Sequence, residues 1–169
     1  MSEGRDEVEG PVTGFRATIS LDYDYSAGQS ASRFLRAIAE GRLVGQRCPV
    51  DGRVYFPSRG SCPQHAVTFG EDVIELSDKG TVVTFSIVRV PSENIPLELP
   101  YITINVLVDG ADTCLMHVLD AKLEDVRMGM RVQAVWKPKE QWTTSTANIL
   151  YFRPIDEPDA DYDSYKEHI

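Results

Sequence analysis

The stretch RCPVDGRVYFPSRGSCPQH (residues 47–65) constrains the fold more than any other part of the chain. It contains two half-sites of equal length, Cys48/Asp51 and Cys62/His65, on either side of a short β-prone run. Tetrahedral zinc takes four N, S or O donors, and a zinc ribbon supplies them from two knuckles of this form. The stretch therefore predicts a zinc ribbon in which Asp51 and His65 replace the usual second and fourth cysteines.

A metal-free ribbon is the alternative interpretation of the same residues. A carboxylate is a harder and less common donor to structural zinc than a thiolate. Without metal, Asp51 and His65 would form an ion pair or hydrogen bonds. With Zn²⁺ bound, four protein donors would leave no coordination position for water, so the predicted role of the ion is structural.

The formal charge of −9 comes largely from the two ends of the chain. Ten of the 26 acidic residues lie in residues 1–9 and 156–169, and the body between them carries 15 Lys/Arg against 16 Asp/Glu. A nearly neutral body argues against a general nucleic-acid binder, which needs a broader positive field. Arginines concentrated in residues 33–59 could instead meet phosphates or an acidic partner. The predicted contact arginines are Arg33, Arg36, Arg47, Arg53 and Arg59.

Length and cysteine usage limit the class of protein. A chain of 169 residues suits one domain, or one domain with a small appendage. No apolar run approaches a membrane span, and the acidic start MSEGRDEVEG does not resemble a signal peptide. Three cysteines cannot all pair, and two have ligand spacing, which favours a reducing, cytoplasmic location.

A helix is predicted immediately before the ribbon. Residues 1–27 are expected to form a partly disordered N-terminal extension, although residues 15–23 alternate as an extended segment does. Residues 30–40 form an amphipathic pattern, with Phe34 and Ile38 on the apolar face and Gly41 at the end. Residues 43–47 and 67–76 predict strands on either side of the ribbon, so residues 28–76 form a helix-plus-ribbon unit.

Five further short strands are predicted, with no long helix between them. They cover residues 81–90, 101–108, 113–119, 131–137 and 147–153. This pattern is typical of an OB-type barrel, whose closure removes exposed edges, and we assign it to residues 77–153. The predicted fold is therefore mainly β, with an N-terminal helix, a zinc ribbon and a five-stranded OB-fold. The acidic tail, residues 154–169, is expected to be disordered unless Tyr162 and Tyr165 dock it.

The segment from 91 to 100 contains three prolines and must be a loop. Exposed Ile or Leu on a loop usually has a partner that covers it. Ile95, Leu97 and Leu99 therefore form a second predicted contact surface, although a loop of this length also suits a plain crossover.

No catalytic constellation is visible in the sequence. There is no G-x-S-x-G, no paired His–Glu helix and no phosphate loop. Cys114 and His117 are three positions apart on a predicted strand, so their side chains point to opposite faces. Both are interpreted as buried strand residues, and the chain is not expected to catalyse a reaction alone.

These segments, taken in order, resemble the domain-of-unknown-function 35 family. Its rubredoxin-type zinc ribbon is similar to the helix carrying Phe34, Leu35, Ile38, Gly41 and Leu43 and to the knuckle segments 46–52 and 56–65. Its OB-fold half is similar to residues 79–85, 100–102 and 128–132. Members with an intact ribbon have cysteine where this chain has Asp51 and His65, which leaves the metal content open.

The resemblance implies a non-catalytic accessory subunit of acyl-CoA metabolism. Family members are associated with thiolases, hydroxymethylglutaryl-CoA synthases and the thiolase-like retro-aldolases of steroid side-chain breakdown, or are fused to hotdog-fold hydratases. The implied partner is thus a thiolase-fold enzyme, with acyl-CoA bound at or near the interface and no membrane contact.

Two rival functions also fit parts of the sequence. An OB-fold module that binds single-stranded nucleic acid would use exposed aromatics such as Phe85 and Tyr101 for base stacking. An independent acyl-CoA thioesterase or hydratase would need an acid–base pair, and none is visible.

Overall fold

The computed structural model describes residues 10, 14, 17, 19, 21, 23, 24, 26–92 and 95–169. Within them it has one α-helix, eight strands and four short 3₁₀ turns. The helix α1 is Gly28–Ala39. The strands β1 to β8 are, in order, Leu43–Arg47, Val54–Tyr55, Ile74–Leu76, Lys79–Val88, Tyr101–Val108, Cys114–Leu119, Arg131–Trp136 and Ile149–Pro154. Most of the predicted N-terminal extension, including Tyr25, lies outside the described residues.

The predicted helix is confirmed, although α1 begins two residues earlier than expected. Its buried face consists of Phe34, Ala37 and Ile38, which the 3.6-residue period places together. Gly41, at φ 76°, ends the helix in the left-handed conformation that glycine adopts most easily. In the described part of the chain, no helix combines the length and apolar character needed to cross a bilayer.

The ribbon is a three-stranded antiparallel sheet in the order β2-β1-β3. Gln46 pairs with Tyr55 on one side of β1, and Leu43 pairs with Leu76 on the other. The strand predicted for residues 67–76 is wrong in extent, because only Ile74–Leu76 belongs to the sheet. Before it, the backbone carbonyl of Gly70 accepts a hydrogen bond from the Gln46 side chain at 2.8 Å instead of extending a ladder.

The five remaining strands close into a barrel in the order β4-β5-β6-β8-β7. Alternation along β5 shows why: Ile102, Ile104, Val106 and Val108 are buried and the residues between them are half-buried. Interior apolar residues at every second position favour a closed sheet with a packed core. The predicted mainly β fold with a closed OB-type barrel is confirmed.

The ribbon is joined to the barrel by the β5–β6 hairpin. The Val54 amide donates to the Asp112 carboxylate at 2.7 Å, and the Asp112 amide donates to the Val54 carbonyl at 2.8 Å. Two residues after Val54, the Phe56 amide donates to Thr113 Oγ1 at 2.8 Å, and the Thr113 hydroxyl donates to the Phe56 carbonyl. The hairpin therefore satisfies backbone groups on the outer edge of β2.

The β7–β8 connection holds the end of α1. Buried Asn148 donates from Nδ2 to the carbonyl of Ile38 at 3.0 Å and to that of Thr143 at 2.7 Å. Trp142 covers Gly41 so closely that a Cβ there would lie 2.4 Å from the indole ring. Helix, ribbon and barrel consequently share one apolar core.

The acidic C-terminal residues do not form the disordered tail that their composition predicts. Residues 155–169 pack on the barrel, and Tyr165 is only 5% exposed. Docking through this tyrosine, the alternative considered above, is confirmed, whereas Tyr162 remains exposed. Ion pairs to basic barrel residues compensate the acidic charge that would otherwise keep this segment in solvent.

Candidate metal centre

The two knuckles repeat the same backbone geometry. In the first, the Gly52 amide donates to the Cys48 carbonyl at 3.0 Å and the Cys48 amide donates to the Arg53 carbonyl at 2.8 Å. In the second, the Ala66 amide donates to the Cys62 carbonyl, and the Cys62 amide to the Val67 carbonyl, both at 2.9 Å. Matching hydrogen bonds at matching offsets turn each cysteine towards the other knuckle.

The fifth residue of each knuckle adopts a left-handed backbone. Gly52 has φ 78°, and Ala66 has φ 53°, the one non-glycine residue with positive φ in the described part of the chain. The turn that places the knuckle donors therefore requires this conformation twice. Glycine adopts it without steric cost and alanine does not.

The structure brings three of the four predicted ligands into one cluster. The donor atoms of Cys48, Cys62 and His65 all lie within 4.8 Å of one another. His65 Nδ1 is 3.3 Å from Cys62 Sγ and 3.6 Å from Cys48 Sγ. Both sulfurs are buried, with the two cysteines each 1% exposed. Such a cluster can hold a metal ion.

Asp51 lies beside this trio, on the side of His65. Its Oδ2 is 3.8 Å from His65 Nδ1 and 3.7 Å from Arg53 Nε, and its Oδ1 accepts the Arg53 amide at 3.1 Å. Burial alone would raise the pKa of Asp51, but the Arg53 amide, the Cys48 thiol and the charge of His65 and Arg53 lower it below its ordinary value. The carboxylate is therefore available as an anionic donor.

A tyrosine distinguishes the second sulfur from the first. Tyr55 Oη lies 3.4 Å from Cys62 Sγ, inside the small core that also contains Phe69. Burial opposes ionisation of Cys62, but the Tyr55 hydroxyl and the His65 amide lower the pKa of this thiol to about 6. The same hydrogen bond raises the pKa of Tyr55 to about 12, whereas burial raises the pKa of Cys48. The spacing of the cysteines did not predict that Tyr55 would contact this site.

The donor set is of a kind that binds zinc and does not suit calcium or magnesium. Two thiolates and an imidazole are the ligands of structural Zn²⁺ sites, while calcium and magnesium take oxygen ligands. Cys48, Cys62 and His65 would hold the ion, with Asp51 as the candidate for the fourth position. A bound ion would cross-link the two knuckles, and with Asp51 as its fourth ligand it would have no coordination position left for water.

The predicted contact arginines fall into two groups. Arg33 and Arg36 line a surface cavity at the start of α1, and Gly60, next to exposed Arg59, packs against Ser30 of that helix. Arg47 and Arg53 instead belong to the first knuckle. Arg47 Nη1 donates to the Gly52 carbonyl at 2.7 Å, and Arg53 pairs with Asp51. The first group is therefore the freer contact surface, although Arg33 also meets Glu71 at 3.2 Å.

The apolar loop is exposed, as its sequence suggested. Ile95, Leu97 and Leu99 are 44%, 41% and 39% exposed on the connection between β4 and β5. Cys114 and His117 are half-buried on β6, and His117 packs edge-on against Phe152 at a centroid distance of 5.6 Å. Neither residue is part of the cysteine–histidine cluster.

Comparison with known proteins identifies the family. A domain model described as ChsH2, C-terminal OB-fold domain, matches residues 73–137. A DUF35 domain-containing scaffold protein of Methanocaldococcus jannaschii is 35% identical over 116 residues, which are 68% of this chain and 82% of the relative. The chain belongs to the DUF35 family. A second DUF35 scaffold protein, from Pyrococcus furiosus, is 32% identical over 128 residues, 73% of this chain and 92% of the relative.

Solved structures share the fold of this DUF35 protein. A chain of the Ltp2-ChsH2(DUF35) aldolase superposes with a TM-score of 0.55 at 23% identity, covering 82% of this chain and 98% of the other. A DUF35 protein of unknown function from Sulfolobus solfataricus superposes with a TM-score of 0.56 at 17% identity, covering 75% and 84%. At these identities the superpositions support the fold alone.

Proposed function

We propose that the chain is a non-catalytic accessory subunit that binds a thiolase-fold enzyme and supports its acyl-CoA substrate binding. The observation that carries this proposal is membership of DUF35, since the relatives from two archaea are named scaffold proteins. A protein of the same fold is part of an aldolase complex, Ltp2-ChsH2, which supports an enzyme as the partner. A steroid or another bulky CoA thioester is the substrate class proposed for that enzyme, in a reducing cytoplasm.

The arginines at the start of α1 are the proposed CoA or enzyme contact. Arg36 and Arg59 are exposed, and Arg33 lines the same cavity as Arg36. Guanidinium groups bind phosphates and carboxylates through paired hydrogen bonds. Arg47 and Arg53, which bind atoms of the first knuckle, are a second proposed contact on the ribbon.

The loop with Ile95, Leu97 and Leu99 is the proposed apolar contact. Three large aliphatic side chains, each about two-fifths exposed, lie within five residues. Burial of apolar area stabilises an interface by roughly 25 cal/mol per Å² before the costs of association. A loop with this composition suits an enzyme surface that covers it.

Zinc is proposed as the resident metal of the ribbon, bound by Cys48, Cys62, His65 and Asp51. Its proposed role is structural, because it would hold the two knuckles together. Binding a structural zinc ion couples directly to folding of the ribbon that carries it.

Co-expression with a thiolase-fold enzyme from the same organism tests the proposal. We expect a complex on size-exclusion chromatography, and a higher acyl-CoA turnover than the enzyme shows alone. Two proteins that elute separately, with full enzyme activity in the absence of this chain, would refute the proposal.

Surface variants locate the contact in the same assay. We expect the Arg33→Glu/Arg36→Glu variant and the Ile95→Ser/Leu97→Ser/Leu99→Ser variant to dissociate the complex. Arg153→Glu on β8 and Met116→Ser on β6, both exposed outside these surfaces, are the matched controls. A salt-sensitive gel shift with single-stranded DNA would instead support the nucleic-acid-binding alternative.

A further inference from the structure

The last fifteen residues form a compact acidic segment on the barrel, here called the strap (residues 155–169). The strap contains six acidic residues and one lysine. The barrel surface beneath it presents three cations, Lys79 on β4, Arg131 on β7 and Arg127 in the turn before β7. Opposite charge on the two surfaces makes the strap complementary to its seat.

The ion pairs follow the strap in order. Glu157 is bound from both sides, by Lys79 Nζ at 2.5 Å and by Arg131 Nε at 3.1 Å. Asp159 accepts two hydrogen bonds from Arg127, at 2.6 and 2.7 Å. Pairing with Lys79, and then with Arg131, lowers the pKa of Glu157.

Arg131 is fixed in position independently of the strap. Its two terminal nitrogens donate to both oxygens of Asp109 at 2.7 and 2.6 Å, and Nη1 also donates to Thr81 Oγ1 at 3.0 Å. Only Nε is turned towards Glu157. The seat therefore includes a cation whose orientation barrel residues determine, as a preorganised binding site requires.

Backbone contacts and one aromatic complete the seat. The Ile155 amide donates to the Arg131 carbonyl at 3.1 Å, and the Ala160 amide donates to the Gly129 carbonyl at 2.8 Å. Gly129, at φ 84°, leaves room for the strap, since a Cβ there would lie 3.2 Å from both the Ala160 carbonyl oxygen and the Tyr165 hydroxyl. Tyr165 is buried there but does not belong to the apolar core of the barrel.

These contacts are of the kind that breaks without unfolding a domain. Exposed and half-exposed ion pairs each contribute little and are screened by salt. The barrel core is formed by other residues, so loss of the strap would leave it intact. Segments held in this way open locally at low free energy.

We propose that the surface formed by Lys79, Arg127, Gly129 and Arg131 is a peptide-binding groove, and that the strap is its dissociable built-in occupant. The ligand class is an acidic peptide with carboxylates two residues apart and a tyrosine further on. While the strap is bound, the groove is closed to other segments of this kind.

Amide hydrogen exchange of the full-length protein is the first test. Asp159→Asn removes a carboxylate that binds the barrel, whereas Asp163→Asn removes one that pairs with Lys166 inside the strap at 2.9 Å. We expect exchange at the Ala160 amide to rise about threefold to tenfold in Asp159→Asn and to stay unchanged in Asp163→Asn. Equal protection in the two variants would overturn the proposal.

A charge exchange separates the ion pair from general destabilisation. Arg127→Asp should release the strap, and Arg127→Asp combined with Asp159→Arg should restore most of its protection. The amide of Val82, which donates to the Met130 carbonyl in the barrel, is the internal reference. Release of the strap in both the single and the double variant would count against a specific groove.

Binding in trans tests the groove itself. A fluorescein-labelled peptide of residues 155–169 is titrated by anisotropy into the full-length Glu157→Gln/Asp159→Asn variant and into the unmodified protein. We expect the variant to bind the peptide about tenfold more tightly, with affinity falling as salt rises. Equal binding to both proteins, or no binding to the variant with its barrel still folded, would overturn the proposal.

Discussion

The two knuckles have one backbone and different chemistry. Each offers a buried cysteine sulfur and closes with the same pair of backbone hydrogen bonds. The first ends in Asp51-Gly52 and the second in His65-Ala66, so the second donor and the left-handed residue both differ. This comparison shows that the fold of a ribbon depends on the hydrogen-bonded turn, while the metal site depends on which donor the turn presents.

Loss of either sulfur should have the largest effect on metal binding. Cys48→Ser and Cys62→Ser should each lower zinc affinity by a factor of at least roughly 100, because each removes a thiolate ligand. Titration of metal-free protein against a chromophoric chelator measures the affinity. Cys114→Ser on β6 is the control and should bind as the unmodified protein does. Wild-type affinity in either knuckle variant would show that its sulfur is not a ligand.

The second donors of the two knuckles, His65 and Asp51, should contribute differently to zinc affinity. We expect His65→Ala to lower zinc affinity about 100-fold and Asp51→Ala about tenfold, because the imidazole lies within the donor trio and the carboxylate lies beside it. Asp51→Cys should raise the affinity, since thiolate is the softer ligand. Asp72→Ala, an exposed carboxylate outside the knuckles, is the control. Unchanged affinity in Asp51→Ala would show that Asp51 is not a ligand and that the protein supplies only three.

Tyr55 should affect the second knuckle alone. Tyr55→Phe keeps the packing against Phe69, at a centroid distance of 5.3 Å, and removes the hydroxyl that meets Cys62. Loss of such a neighbour of a ligand should lower zinc affinity about tenfold. Tyr101→Phe on β5, measured in the same titration, should have no effect. A similar loss in both tyrosine variants would contradict a specific hydroxyl–sulfur contact.

Substitutions at the left-handed residues Gly52 and Ala66 should have the smallest effects. They should change the free energy of unfolding in opposite directions. Gly52→Ala should lower the free energy of unfolding by about 1 kcal/mol, and Ala66→Gly should raise it by about 0.5–1 kcal/mol. Urea unfolding of the metal-free protein excludes any contribution from zinc. Gly70→Ala, where no described residue other than the two chain neighbours lies within 4 Å of a Cβ, should be neutral or slightly stabilising. Destabilisation by Ala66→Gly would show that the turn does not strain alanine.

Much of the fold and the position of the two knuckles could be predicted, because the sequence patterns that indicate them are local. The series of short strand-like segments predicted β5, Gly41 predicted the end of α1, and cysteine spacing predicted the knuckles. The extent of β3 could not be predicted, because residues 67–73 have β propensity but Gln46 binds the Gly70 carbonyl from another strand. Tertiary contact outweighed propensity there.

The contacts missed from the sequence are those between distant residues. Asp112 reads as a turn residue, and only the fold shows that it binds Val54, 58 positions away. In the sequence Tyr55 is part of an apolar run, but in the structure its hydroxyl contacts Cys62 across the ribbon. The strap carries an acidic composition typical of disorder, but composition cannot show that Arg127 and Arg131 bind it.

The hydrogen bonds between Asp112 and Val54 have a practical consequence for anyone who divides this protein. Cutting the chain after β3 would leave the Val54 amide and carbonyl of the front piece without their partners. The rear piece would expose the apolar surface that α1 and β1 now cover. Neither fragment should therefore be soluble alone, and calorimetry of the intact chain should show one melting event rather than two.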